Sequence, residues 1–144
     1  MNPIKTILFV AFLAVTLHAQ GNLDPAKLQQ PPTDSWPTYH GDYSGRRFSP
    51  LTKINTTNIN SLSLSWVYRI NTGGAGGSIK STPLQINGVL YFSLPDHVWA
   101  VDARTGREIW HHVWPSKGGE HIGNRGVGVS GNALYFEKIG RAHV

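Results

Sequence analysis

The chain contains no cysteine, so neither a disulfide framework nor thiolate chemistry can be written for it. Charged residues are scarce as well, at 15% of the 144 residues, against 40% hydrophobic residues, 16 glycines and 9 prolines. That balance is too apolar for a disordered tail and too irregular for a coiled coil. Basic residues are not gathered anywhere: Arg46, Arg47, Arg69, Arg104, Arg107 and Arg125 are dispersed along the chain. Of the formal charge of +5, Lys5, Lys138 and Arg141 belong to the two ends, which leaves +2 for the body. Nothing in this points to nucleic acid, which calls for a basic stripe or patch.

What is present begins with Lys5, an apolar run over residues 7–17, and Leu17-His18-Ala19 before Gln20. This is the order of a secretory signal peptide, expected over residues 1–19. The run is too short for a transmembrane helix, which needs about 20 apolar residues. Residues 20–35 carry Pro25, Pro31 and Pro32 with little apolar content and read as an extended lead-in. At the other end, Tyr135-Phe136-Glu137 reads as a strand in progress, whereas residues 138–144 follow without turn logic and resemble an adapter-derived, non-native tail.

Between these ends the pattern is one of short strands. Leu84-Gln85-Ile86 and Val89-Leu90-Tyr91-Phe92 flank Asn87-Gly88, the strongest short hairpin signal a sequence offers. Val98-Trp99-Ala100-Val101-Asp102 and Arg107-Glu108-Ile109-Trp110-His111 extend the series to four strands, with no helical period competing. The unit then starts again at Gly126-Val127-Gly128-Val129, and Leu90-Tyr91-Phe92 recurs as Leu134-Tyr135-Phe136, 44 residues on. A four-stranded sheet repeating at about 40 to 50 residues is the signature of a β-propeller blade. A sandwich or meander remains open on the repeat alone.

Residues 100–110 favour the propeller, because they hold Ala100, Asp102, Thr105, Gly106 and Trp110 in an A-x-D-x-x-T-G-x-x-x-W arrangement. Asp102 can accept hydrogen bonds from the turn backbone, Thr105 can tie its hydroxyl to the same turn, and Gly106 can take a positive φ. Trp110 offers a large flat face with one donor, suited to packing on a neighbouring blade. A radial fold needs such a clasp, since a lone blade cannot bury its own apolar faces.

With those residues in place, the chain resembles the secreted quinoprotein alcohol and methanol dehydrogenases. The likeness is carried by residues 36–51 (Trp36-Pro37-Thr38-Tyr39-His40-Gly41-Asp42 through Arg47-Phe48-Ser49-Pro50-Leu51), by Ile54-Asn55 with Asn58-Ile59 and Leu62, by Ser81-Thr82-Pro83-Leu84, by the clasp, and by Asn124-Arg125-Gly126-Val127. The resemblance implies an all-β fold in which residues 36–137 form the N-terminal strap and first blades of an incomplete eight-bladed β-propeller. It further implies pyrroloquinoline quinone (PQQ) at the propeller axis with Ca2+ or another divalent metal, an alcohol or sugar substrate, a downstream acceptor such as a cytochrome c, and a periplasmic or secreted location. Because non-catalytic propellers share the clasp, a periplasmic protein-interaction scaffold is the alternative.

The same resemblance picks out two cofactor-binding residues. Arg125 matches the arginine that touches the acidic oxygens of the quinone, work for which a planar fork of donors is suited; the bland reading is a solvated loop arginine. Lys80 stands where many members place a glutamate, so its charge is reversed, although a lysine can still pair with a quinone carboxylate. The adjacent cysteines that most alcohol-oxidising members carry before the N-R-G segment are missing from residues 116–123. No catalytic residue or metal ligand is assigned within this chain.

Other constellations carry less. His111 and His112 are adjacent on a strand and point to opposite faces, so they cannot share one zinc ion; His40 and His121 read as loop residues. The glycine run at 73–77 precedes a strand and lacks the Lys-Ser/Thr of a phosphate loop. Ser81 and Ser130 lack a nucleophile-elbow context. Trp66, Tyr68, Trp99, Trp110 and Trp114 are explained by sheet packing rather than by base stacking.

Overall fold

The computed structural model describes residues 23–72, 79–113 and 125–136. The expected signal peptide, the glycine run, the segment with His121 and Asn124, and the expected tail lie outside these residues.

Four strands, β1 (Leu84–Ile86), β2 (Val89–Leu94), β3 (His97–Asp102) and β4 (Glu108–Val113), form one antiparallel sheet in the order β1-β2-β3-β4. Asn87 and Gly88 both adopt positive φ, at 50° and 80°, as a two-residue hairpin whose twist matches its strands requires. That turn sets Leu84 opposite Tyr91 and Ile86 opposite Val89. Pro95 and Asp96 make the next turn, placing Phe92 opposite Trp99 and Leu94 opposite His97. Between β3 and β4 the register slips at Ala100/Val101, so that Trp110 faces Ala100 while Glu108 faces Val101.

Side chains alternate across this sheet, and both of its faces are covered. On one face Phe92, Leu94, Trp99 and Val101 form the core cluster, with Trp66, Tyr68, Ile70 and Leu90 packed against it. On the other, Leu84, Ile86, Val89, Val98 and Ala100 are buried. Covering on two sides explains why β2 and β3 read as nearly continuous apolar runs rather than as an alternation. Each large side chain so enclosed contributes about 1.5 to 3 kcal/mol.

A second sheet pairs β5 (Val127–Ser130) with β6 (Ala133–Phe136). It touches the first sheet through β2 and β5, and Phe136 meets His112 edge-on at a ring-centroid distance of 6.1 Å. The lead-in ties the two sheets together at their edges. The Leu23 amide donates to the Gly131 carbonyl at 3.1 Å, and Trp36 exchanges two backbone hydrogen bonds with Gln85 of β1 at 2.6 and 3.0 Å. Between these anchors the lead-in is not wholly extended. Asp24 caps a 3-10 turn over Pro25–Gln29 by accepting from the Ala26 amide at 2.9 Å, and the turn buries Leu28.

Residues 43–64 contrast with this. They contain one short 3-10 turn, Ile59–Ser61, and expose Tyr43, Phe48, Leu51, Ile54, Ile59, Leu62 and Leu64. Among the described residues there is no α-helix, and the strands close no barrel.

Candidate functional site

The β3–β4 turn is built around one carboxylate. Asp102 Oδ1 accepts from the amides of Arg104 and Thr105 and from the Thr105 hydroxyl, each at 2.9 Å. Those bonds, from the Thr105 amide first and its hydroxyl next, hold the Asp102 carboxyl below the usual carboxylate range. Gly106 follows at φ +71°, and a Cβ there would fall 2.5 Å from Cε3 of Trp66. The indole of Trp66 therefore lies flat on the glycine, while its Nε1 donates to the Ala103 carbonyl at 3.3 Å. Trp66 thus takes, on this turn, the docking role that the sequence suggests for a clasp tryptophan. Trp110, the clasp's own tryptophan, is 39% exposed and leans toward Tyr91 with ring centroids 6.1 Å apart.

Trp66 belongs to a run in which alternate residues, Trp66, Tyr68 and Ile70, face the core cluster. Tyr68 donates its hydroxyl to Glu108 Oε2 of β4. Burial, and then the Glu108 carboxylate, push the phenol up to about 12.

The two residues assigned by resemblance lie on segments that lead into strands. Lys80 precedes Ser81 at the approach to β1, and Arg125 precedes Gly126 at the approach to β5. Ser81 is buried, and its hydroxyl donates to the Ser93 carbonyl at 2.8 Å and accepts from the Ser93 amide at 3.2 Å. One side chain thereby bonds both backbone groups of Ser93 in β2 beyond the end of β1. Gly126 passes directly beside it, since a Cβ at Gly126 would stand 3.8 Å from Cβ of Ser81. The fold thus brings the Lys80 and Arg125 segments side by side, with both cationic residues exposed. A shallow depression next to them is lined by Arg125, Gly126, Val127, Gly128, Tyr135 and Phe136. Among the described residues its walls offer one guanidinium, backbone, the Val127 side chain and two aromatic rings, and no carboxylate, which suits a flat anionic molecule. The sequence alone did not show the Ser81 anchor or the aromatic wall.

For a divalent metal the described residues offer no group of three or more His, Asp or Glu side chains. His111 and His112 point to opposite faces, as the strand alternation requires: His111 packs on Trp99 and His112 on Phe136. Burial and the neighbouring His97 hold the His111 imidazole below the usual histidine range.

Short antiparallel sheets in succession, one locked to the preceding segment by a tryptophan on a glycine turn, are the construction of a β-propeller. Residues 36–138 match the PQQ family described as glucose/ethanol/alcohol dehydrogenase, beta-propeller domain, and the chain belongs to this family. It is 34% identical over 113 residues to the quinoprotein glucose dehydrogenase of Escherichia coli (strain K12), an alignment covering 72% of this chain and 14% of that protein. With the quinohemoprotein alcohol dehydrogenase ADH IIB of Pseudomonas putida it shares 33% over 145 residues, covering 93% and 20%. The solved structure of quinohemoprotein alcohol dehydrogenase ADHIIG from Pseudomonas putida HK5 superposes with a TM-score of 0.67 at 30% identity, covering 80% of this chain and 18% of the other. The chain therefore spans about a fifth or less of the length of these relatives.

Proposed function

We propose that residues 36–137 supply the strap and first blades of a PQQ-dependent oxidoreductase acting on the CH-OH group of an alcohol or sugar, with residues 1–19 directing it to the periplasm or outside the cell. The carrying observation is the side-by-side placement of the Lys80-Ser81 and Arg125-Gly126 segments within a chain of the PQQ propeller family.

In this reading Arg125 and Lys80 face the carboxylates of PQQ. Arg125 offers two parallel donors to one carboxylate, which fixes the plane of the ligand as well as its charge. Lys80 adds a point charge without that orientation. Ser81, buried and bonded at both ends, keeps the Lys80 segment in place, and Gly126 allows the Arg125 segment to approach it closely. PQQ, when bound, is the two-electron acceptor for the substrate hydroxyl carbon. Electrons then leave to an acceptor such as a cytochrome c. The described residues gather no group of three or more His, Asp or Glu side chains for Ca2+ or another divalent metal, and no step is assigned to one.

The test is titration of the apo form of the protein that carries this chain with PQQ. Loss of a directly bonded cation leaves a buried carboxylate unpaired, at about 1 to 3 kcal/mol, so Arg125→Ala should weaken PQQ retention by about tenfold or more and leave the melting of the apo form nearly unchanged. Lys80→Ala should have a smaller effect. Equal affinity in wild type and Arg125→Ala would return Arg125 to a solvated loop position, and no measurable PQQ binding by the wild type would favour the scaffold reading.

A further inference from the structure

Among the described residues, strand β4 is the outer edge of the four-stranded sheet and pairs with β3. Trp110 meets Tyr91 and His112 meets Phe136 on one side of it, and a pair of histidines holds the other. His97, opposite Val113, reaches diagonally to His111, opposite Trp99, and places Nδ1 2.9 Å from His111 Nε2. The ring centroids are 5.1 Å apart with planes 20° from parallel, which puts the two imidazoles edge to edge in nearly one plane. One ring N–H therefore points straight at the lone pair of the other ring. The indole of Trp99, 1% exposed, lies along both rings, with centroids 4.4 Å from His111 and 5.3 Å from His97 and planes within 13°. Phe92 stacks on Trp99 from β2 at 5.5 Å.

The proton count of such a pair is restricted. Two neutral imidazoles carry two N–H groups, one of them between the rings. A third proton binds the outer nitrogen of the donor ring and leaves the bond intact, now charge-assisted. A fourth must bind the acceptor nitrogen, and two N–H groups then confront each other across the contact.

From this geometry we infer that His97 and His111 form an acid-sensitive latch on β4, closed with two or three ring protons and open with four. The groups around the latch act in known directions. Burial against Trp99 and the charge of His97 disfavour protonation of His111, as does His112 from the other face, while Glu108 favours it. Glu108 is itself engaged by Tyr68 from the segment packed on this face, and Asp96 stands in the turn next to His97. Since His111 takes up a proton less readily in the fold than in the unfolded chain, the latch is fully stabilising above the ordinary histidine range near pH 6.5 and weakens as pH falls below it. The inference does not depend on the cofactor reading.

The experiment is hydrogen exchange of residues 108–113 between pH 7.5 and 5, corrected for intrinsic exchange rates, in the protein that carries this chain. His111→Gln and His97→Asn place a non-titrating amide near the positions of Nε2 and Nδ1, so each can keep a contact without the proton chemistry. In the wild type, opening of β4 should rise about tenfold for each pH unit in which one extra proton is bound on opening; in His111→Gln it should stay flat over that range, and in His97→Asn it should rise less steeply than in the wild type, since His111 stays buried there. A flat wild-type profile overturns the latch without reference to any variant, as does an equal rise in wild type and a folded variant. Tyr68 and Glu108 are common to all three proteins and cancel in the comparison.

Discussion

Leu90-Tyr91-Phe92 and Leu134-Tyr135-Phe136 are the same tripeptide in the second strand of a hairpin, yet they meet different surroundings. Phe92 is 8% exposed under Trp66, Tyr68 and Ile70 and Tyr91 is half-buried, whereas Phe136 is only half-buried and Tyr135 is 61% exposed on a strand that pairs with β5. Local pattern made both into strands; neighbours decided which became core. Among the described residues the first sheet thus has four strands in place, and the second has two.

The contrast can be broken most severely at Trp99, which stacks between Phe92 and His111. Trp99→Ala should cost about 3 to 5 kcal/mol, read from the denaturant midpoint of the protein that carries this chain; a cost below about 1 kcal/mol would mean that the sheet is not the core described. Gly106→Ala should come next, at about 1 to 3 kcal/mol, because the new methyl meets the Trp66 ring and the backbone keeps a positive φ. Quenching accessibility of the tryptophans should rise in parallel, since Trp66 must leave its seat. An unchanged midpoint would show that the seat is loose.

A smaller effect is expected from pH. With the Asp102 carboxyl held below its usual range by the Thr105 and Arg104 bonds, the folded state binds that proton less readily than the unfolded chain. Its stabilisation is therefore present above about pH 4 and disappears as pH falls through the lower, folded value. Asp102→Asn should melt below wild type at neutral pH and converge with it in acid; parallel melting curves across the range would contradict this. The smallest change should come from Tyr135→Ala, within about 0.5 kcal/mol as for other exposed positions. A cost approaching that of Phe92→Ala would show that further strands cover Tyr135 in the assembled protein, and so would turn the contrast into one of completeness rather than of kind.

Much of the blade could be read in advance because its determinants are local. Asn87-Gly88 set the first hairpin, and the spacing from Ala100 to Thr105 and Gly106 set the clasp turn. The partner of that turn could not be read in the same way. The motif ends on Trp110, but the seat at Gly106 is filled by Trp66, and only the alternation of Trp66, Tyr68 and Ile70 hinted at a buried face. Histidines were legible one at a time, as with the opposed His111 and His112; the His97 to His111 contact depends on register across a bulged pair of strands. Arg125 and Lys80 were marked by resemblance, and what joins their segments is the buried Ser81 beside Gly126, a contact between residues 45 positions apart that no local pattern encodes.

The Trp66 seat also bears on how the chain is made. Trp66 is synthesised before the turn that receives it, and its hydrogen-bond partner Ala103 lies 37 residues later. A loop of that length closes at little more entropic cost than one half as long. Once residue 113 has cleared the ribosome, every strand of the first sheet and the indole that locks it are available, so this blade can be completed and tested for fit while the rest of a longer chain is still being translated. A ring-shaped fold is often pictured as closing last and all at once; here the first segment carries its own fastening.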